Sequence, residues 1–241
     1  MSSPTQTSTK NRLLKALSEA TFNSLAPHLE PVDFPLRYVL VEANQPPAHV
    51  YFIESGLGSV VASSDDNESI EIGHVGLEGM SAGHLLLQTA TTPTRTFMQV
   101  AGHGLRTPVE VFLKLMEQDR AARDVFLRYV HCSELQLAHS ALANARYSVN
   151  ERLARWLLMC HDRLEGDDLA LTHEFLALML GVRRSGVTNE IHILEGIKAI
   201  KATRGNIRII DRARLLEIAG GCYGIPEAEY DRLIGPLIPA G

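Results

Sequence analysis

The sequence predicts an α+β protein in three successive regimes: a β-rich N-terminal domain, one long helix, and a helical C-terminal domain closed by a hairpin. Three observations carry this reading. Between Pro31 and Pro108, β-branched residues and glycines gather in short segments separated by turn signals. From Val109 to Ala145 neither proline nor glycine occurs, and apolar residues fall into helical spacing. After Ser148, helix-capping residues, a glycine stop and an Arg-Gly-Asn turn follow one another at close intervals.

The chain has 241 residues, 45% of them hydrophobic and 21% charged, a composition suited to a globular protein and too apolar for a disordered one. At roughly 100–200 residues per domain, this length holds one large domain or two small ones. The formal net charge of −5 excludes a uniformly basic, histone-like nucleic-acid binder but leaves room for one basic face. Cys132, Cys160 and Cys222 are far apart and form no Cys-x-x-Cys pair. That spacing argues against a disulfide framework and against a cysteine-ligated zinc or iron–sulfur site. The first ten residues are polar, and no apolar run approaches the ~20 residues needed to span a bilayer. A cytoplasmic protein with no membrane partner is expected.

In order along the chain, a short helical lead-in is expected from Arg12 to Leu29. Strands follow at Tyr38–Val41, Val50–Ile53, Gly58–Ala62, Ser69–Ile72 and Thr96–Val100, with turns at Ala43-Asn-Gln-Pro-Pro, Ser55-Gly and Ser63-Ser-Asp-Asp-Asn. Many short strands with regular turns indicate a β-sandwich or barrel. In the long helix, Leu135, Ala138, Leu142 and Ala145 form a heptad-like stripe. Such a seam either packs on its own sheet or pairs with its twin across a two-fold axis; periodicity alone leaves both open.

Ser148-Val-Asn-Glu151 fits a capping box at a helix start. That helix carries Leu153, Trp156, Leu157 and Cys160 on one face and is expected to end near Gly166. Thr172 caps a short helix over Glu174–Leu180 that stops at Gly181, and a third helix spans about Arg184–Glu195. Ala199-Ile-Lys, a turn at Arg204-Gly-Asn and Ile207-Arg-Ile-Ile then read as a hairpin. Helix, turn at glycine, helix and hairpin make a winged helix-turn-helix, whose second helix enters the DNA major groove.

The first turns of that helix offer Arg183, Arg184, Ser185, Thr188 and Asn189, and positions 184, 185, 188 and 189 share one face. The opposite face, Val187, Ile191 and Leu194, is apolar and suits packing on Leu176 and Leu180. Arginine fits guanine bidentately and asparagine fits adenine. Between Leu171 and Leu215 eight basic residues stand against four acidic ones, a local charge of +4, while the rest of the chain carries −9. A positive module on an acidic protein is the distribution phosphate contact requires. Thr172, Lys201, Arg204 and Asn206 complete the expected DNA-contacting set.

Residues 172–188 (Thr-His-Glu-Phe-Leu-Ala-Leu-Met-Leu-Gly-Val-Arg-Arg-Ser-Gly-Val-Thr), Leu194-Glu, Ala199-Ile and Arg204-Gly-Asn-Ile-Arg-Ile-Ile-Asp211 resemble the Crp/Fnr family of bacterial transcription regulators. The N-terminal half is similar more loosely, through Val50-Tyr-Phe-Ile-Glu-Ser-Gly, Gly73-His-Val-Gly-Leu-Glu-Gly-Met and Arg95-Thr96. The resemblance implies a jelly-roll sensor domain like those that bind cyclic nucleotides, a homodimer built on the long helix, and half-sites about 34 Å apart on two-fold symmetric double-stranded DNA. RNA polymerase is an implied further partner. The implied domains are a disordered tail at 1–11, the sensor at 12–116, the dimerisation helix at 117–146, the winged helix-turn-helix at 147–220 and an extension at 221–241, within which 227–234 suits a short helix. The family's base-reading positions fall on Arg184, Ser185 and Asn189; Ser185 replaces a common glutamate, so the implied half-site differs from that of the cAMP-responsive branch. Arg183 stands where a capping serine is usual.

The same resemblance places an effector pocket at Glu78, Gly79, Arg95, Thr96, Leu137 and Ala138. Leu137 and Ala138 stand where adenine-contacting hydroxyls would lie, and neither can hydrogen-bond a base. A buried polar edge left unpaired costs ~1–3 kcal/mol per group, so an effector other than cAMP, or none, is expected. The N-terminal half lacks the cysteines of the iron–sulfur branch. His49, His74, His84, His131 and His139 lie near the sensor and leave haem open as an alternative, but a lone histidine is far more often a surface or core residue than an iron ligand, and no cofactor is expected. Catalysis finds no support either: His173-Glu174 begins like a zinc-protease helix, but position 177 is alanine. Glu71 and Glu78 near Arg95 suit a binding pocket better than an acid–base pair. A second reading keeps the sensor as a cyclic-nucleotide-responsive module acting on a protein partner; the basic hairpin from Lys201 to Arg208 argues against it.

Overall fold

In the computed structural model, which describes residues 4–66 and 68–237, Asn11 opens the first helix from a fully buried position. Its side-chain oxygen accepts the Leu14 amide at 3.1 Å, and its amide group donates to the carbonyls of Ile53 and Gly79 at 3.0 and 2.8 Å. Thr9 is buried as well, its hydroxyl donating to Glu54. Of the disordered tail expected at 1–11, positions 1–3 lie outside the described residues, and the expectation is corrected for residues 9–11, which are pinned to the domain by satisfied buried hydrogen bonds that a polar composition hides. The lead-in is two helices, α1 (Arg12–Ala16) and α2 (Glu19–Leu25), separated where Ser18 caps the second.

Five strands follow: β1 (Glu30–Phe34), β2 (Val39–Val41), β3 (His49–Ser63), β4 (Ser69–Val75) and β5 (Arg95–Pro108). They form one antiparallel sheet of order β1-β5-β3-β4, with β2 also paired to β5. The turn expected at Ser55-Gly is instead a set of register shifts between Ile53 and Gly58 inside one 15-residue strand. Gly56 makes this irregularity feasible: it sits at φ +86°, and a Cβ there would lie 2.6 Å from the Val100 carbonyl oxygen. Extra residues in one strand bend it, so the sheet curls and has two apolar faces. Phe34, Leu40, Tyr51, Ile53, Val75 and Met98 fill one. Phe52, Leu105 and their neighbours meet Phe112 and Phe126 on the other.

The helix expected from Val109 to Ala145 is broken once, into α3 (Val109–Gln118) and α4 (Arg120–Arg146). Asp119 causes the break: its carboxylate accepts the Ala122 amide at 3.0 Å, a helix N-cap placed in the middle of an apolar pattern. The 27-residue α4 is about 40 Å long. Its Phe126, Tyr129, Cys132, Gln136 and Ala143 face the protein, whereas Ala138, Leu142 and Ala145 of the heptad-like stripe are exposed and Leu135 is half-buried.

The C-terminal domain follows the expected order. α5 (Val149–His161) opens on the Ser148–Glu151 capping box, with both reciprocal bonds present. A short strand β6 (Asp168–Leu169), α6 (His173–Leu180), α7 (Arg184–Gly196), β7 (Ile200–Thr203), β8 (Asn206–Ile209) and α8 (Arg212–Ala219) complete it. β6 pairs β8 and makes the hairpin a three-stranded wing. Eight consecutive residues of α5, Leu153 to Cys160, are buried. A helix covered all round is a central one, and α5 is sandwiched between the sensor sheet and the remaining C-terminal helices. α9 (Ile225–Leu233) fulfils the helix expected at 227–234 and crosses back to lie against α4.

Candidate nucleic-acid interface and sensor pocket

The candidate reading helix, α7, is positioned by its apolar side. Val187, Ile191 and Leu194 are fully buried and share one core with Leu176, Leu180, Trp156 and Ile207. α6 enters under the cap of Thr172, whose hydroxyl oxygen accepts the Phe175 amide at 3.2 Å, and stops at Gly181 with φ +60°. α7 begins at Arg184 with no side-chain cap from Arg183, which leaves its first amides free for an anion or water.

The polar side of α7 faces out. Arg183, Arg184, Ser185 and Asn189 are exposed. Thr188 is half-buried, its hydroxyl shared between the Arg184 carbonyl and His173 Nδ1, both at 3.1 Å. It therefore braces α6 against α7 rather than pointing freely outward. The wing turns at Arg204-Gly205, with Gly205 at φ +76°. Glu195 ties it to α7 by accepting the Ala202 amide at 2.8 Å, and Asn206 donates to Asp168 at 2.9 Å, so Asn206 holds the wing together. Between α6, α7 and the wing lies a groove of about 720 Å³, lined among others by Thr172, Arg184, His192 and Arg204.

The eight basic residues of this region divide by geometry. Arg208, Arg212 and Arg214 are paired with Asp168, Asp162 and Asp211. Arg183, Arg184, Lys198, Lys201 and Arg204 make no ion pair among the described residues, and Lys201 and Arg204 sit exposed on the wing. Five cations without an ion pair among the described residues lie on or near this exposed polar helix face, with the cations that brace the fold set apart from them.

Residues 151–218 match the model of the Crp-like helix-turn-helix domain. That segment is a Crp-like helix-turn-helix domain, and the fold around it is shared with Crp/Fnr-family structures. Around it, the chain is similar in structure to a Crp/Fnr-family protein from Eubacterium rectale, at 17% identity and a TM-score of 0.66 over 86% of this chain and 97% of that one. FixK2 from Bradyrhizobium japonicum aligns at 13% identity and 0.68 over 80% and 98%. The c-di-GMP-responsive regulator CLP from Xanthomonas campestris aligns at 18% and 0.62 over 80% and 99%. No curated protein matches the sequence.

On this Crp/Fnr fold the sensor pocket differs from the expected one. A cavity of about 270 Å³ lies between the sheet and α4, and only Thr96 and Leu137 of the six expected residues line it. Glu78 is turned away, with its side chain 3% exposed and paired at 2.8 Å with Arg163. Gly79 lies under Tyr129, whose hydroxyl would be 2.2 Å from a Cβ at that position. Arg95 swings outward, its Nε 3.1 Å from Glu42 and its guanidinium over Phe97. Ala138 is on the outer side of α4. Glu78 and Arg95 are each captured by a partner distant in sequence, Arg163 and Glu42.

The residues that do line the cavity include His74, His84, Gln136, Ser81 and Thr92. Gln136 Oε1 accepts the His74 amide at 2.7 Å and clasps α4 to β4. His74 is buried with its Nε2 2.6 Å from Glu71, and among the described residues neither of its ring nitrogens, nor the buried His84 Nε2, has a well-formed hydrogen bond. Burial holds the His84 pKa below its ordinary value, favouring the neutral ring. The signal for Gln136 was present in the sequence as the Phe126–Tyr129–Cys132–Gln136 spacing, the helix face opposite the heptad-like stripe.

Proposed function

We propose that this chain is a homodimeric, sequence-specific transcription regulator of the Crp/Fnr type, with α7 as its base-reading helix. The observation that carries the reading is the exposed face of Arg184, Ser185 and Asn189 at the start of α7, flanked by four further cations, Arg183, Lys198, Lys201 and Arg204, that like Arg184 make no ion pair among the described residues. Arg184 and Asn189 read base edges, Ser185 tolerates either partner, and Arg183, Lys201 and Arg204 hold phosphates. The exposed Ala138–Leu142–Ala145 stripe on α4 supports dimerisation, because an apolar seam of this period is otherwise left in water. Contact with RNA polymerase and a cytoplasmic setting follow from the regulatory role; among the described residues no helix is long and apolar enough to cross a membrane.

For the effector, the lining favours a small uncharged molecule that hydrogen-bonds His74 and His84. No lysine or arginine lines the cavity, so a cyclic phosphate would be desolvated with no counter-charge. At about 270 Å³ the cavity falls just under the roughly 300–1,000 Å³ usual for drug-sized ligands.

The test compares two substitutions by fluorescence anisotropy on matched and mismatched duplexes. Arg184→Ala is expected to cost about 1–3 kcal/mol and to relax one base position, whereas Lys201→Ala weakens every duplex alike. Equal losses on all duplexes from Arg184→Ala would refute Arg184 as a base reader.

A further inference from the structure

Glu78 occupies the sensor loop after β4, where the resemblance implies a ligand-binding glutamate, yet it joins three separate parts of the chain. Its Oε1 accepts Arg163 Nε at 2.8 Å, its Oε2 accepts the Gly76 amide at 3.0 Å, and its carbonyl accepts the Tyr230 hydroxyl at 2.7 Å. Arg163 lies just past α5, in the DNA-binding domain, and donates again to the Met159 carbonyl at 2.9 Å. Burial alone disfavours its charge, but Glu78, Asp162 and Glu227 more than offset that and hold its pKa above the ordinary value. Gly76 permits the approach, since a Cβ there would lie 2.9 Å from Arg163 Cβ.

Tyr230 belongs to α9, and α9 has its two ends in different domains. Its root is held by the DNA-binding domain, where Tyr223 donates to Asp162 and Arg212 donates to Tyr223. Its far end belongs to the sensor: Tyr230 and Leu237 are buried in the core that holds Leu13, Phe126 and Tyr129. Arg12 donates to the Pro236 carbonyl, and His131 on α4 meets Glu229 at 3.6 Å. Burial, then Glu78 and Tyr129, raise the Tyr230 pKa, so its hydroxyl stays a donor.

We propose that Glu78 is the interdomain bolt that positions the DNA-binding domain, with α9 as a strap across it, and that this bolt regulates DNA affinity. Its link to the sensor is direct: Met80, Ser81 and Ala82, on the same loop, line the cavity. A ligand that shifts this loop therefore moves the carboxylate that anchors Arg163. This regulation rests on the DNA-binding reading given above.

The only tryptophan of the chain reports on the bolt without any ligand. Trp156 is buried at the same domain junction, its Nε1 donating to Glu71 at 3.0 Å and its ring edge-on to His74 at 5.1 Å. The experiment measures acrylamide quenching of Trp156 and affinity for a selected duplex in the full chain, comparing wild type with Glu78→Gln and Tyr230→Phe. Both variants are expected to expose Trp156 to quencher, red-shift its emission and change DNA affinity about fivefold or more, the scale of allosteric coupling. Unchanged quenching in the folded variants overturns the bolt. Increased quenching with unchanged affinity overturns its regulatory role, and changed affinity with unchanged quenching does the same. If Glu78→Gln does not fold, Tyr230→Phe, which removes one hydroxyl, decides alone. A wild-type chain that selects no duplex refutes the DNA-binding reading, while the quenching result still judges the bolt.

Discussion

Asp119 interrupts an otherwise continuous helical pattern because its carboxylate has two partners, the Thr21 hydroxyl and the Ala122 amide. Both favour the charged form and lower its pKa, the hydroxyl most. A folded-state pKa below the unfolded one contributes stability that is complete above the unfolded value and is lost as pH falls through the folded value. Asp119→Asn is therefore expected to be less stable than wild type in urea at neutral pH, with the gap closing as the solution is acidified below the ordinary aspartate range. A gap that widens in acid contradicts this assignment. The same residue shows a limit of sequence reading. Asp in a run of helix formers looks like one more surface charge until Thr21, 98 positions earlier, is seen to meet it. Glu78 and Arg95 follow the same logic: their residue types were legible, but Arg163 and Glu42, which hold them away from the pocket, lie far off in sequence.

Local elements were legible wherever local chemistry decides them. The Ser148 capping box, the Thr172 cap, the Gly181 stop and the Arg204-Gly205 turn each rest on contacts within a few residues. The sheet was less legible: β1 lies inside the β-rich stretch but no segment of its own stands out there, and a turn expected at Ser55-Gly is an irregularity within β3, because pairing with β5 outweighs the local signal. For α4, one chain resolves the choice that periodicity left open only in part. Phe126, Tyr129, Cys132 and Gln136 pack on the chain's own sheet, while Leu142 stays 44% exposed. Leu142→Glu is therefore expected to leave the fold intact and convert a dimer to a monomer in sedimentation velocity. A variant that sediments like wild type would place the dimer seam elsewhere.

Across the whole molecule, charge is divided by task. In the acidic bulk of the chain Arg95, Arg106, Arg163 and Arg232 are ion-paired, while five cations around α7 and the wing have no ion pair among the described residues. Each phosphate neutralised contributes about −0.9 to the slope of log K against log salt. Arg204→Ala is therefore expected to make that slope shallower by about one without changing which sequence is preferred. An unchanged slope would remove Arg204 from the phosphate contacts. The division between free and braced cations was not legible from the +4 local charge, because the aspartates that brace Arg208 and Arg212 lie outside the motif that suggested DNA.

The proposal of a sequence-specific reader whose sensor does not answer to cyclic phosphate is best tested by selecting DNA from a random duplex library at fixed, near-physiological salt, with and without cAMP. One enriched, two-fold symmetric site, the same in both arms, is expected. Enrichment that requires cAMP would contradict the placement of Arg95 and Glu78 outside the pocket, and no enrichment in either arm would contradict α7 as a base-reading helix.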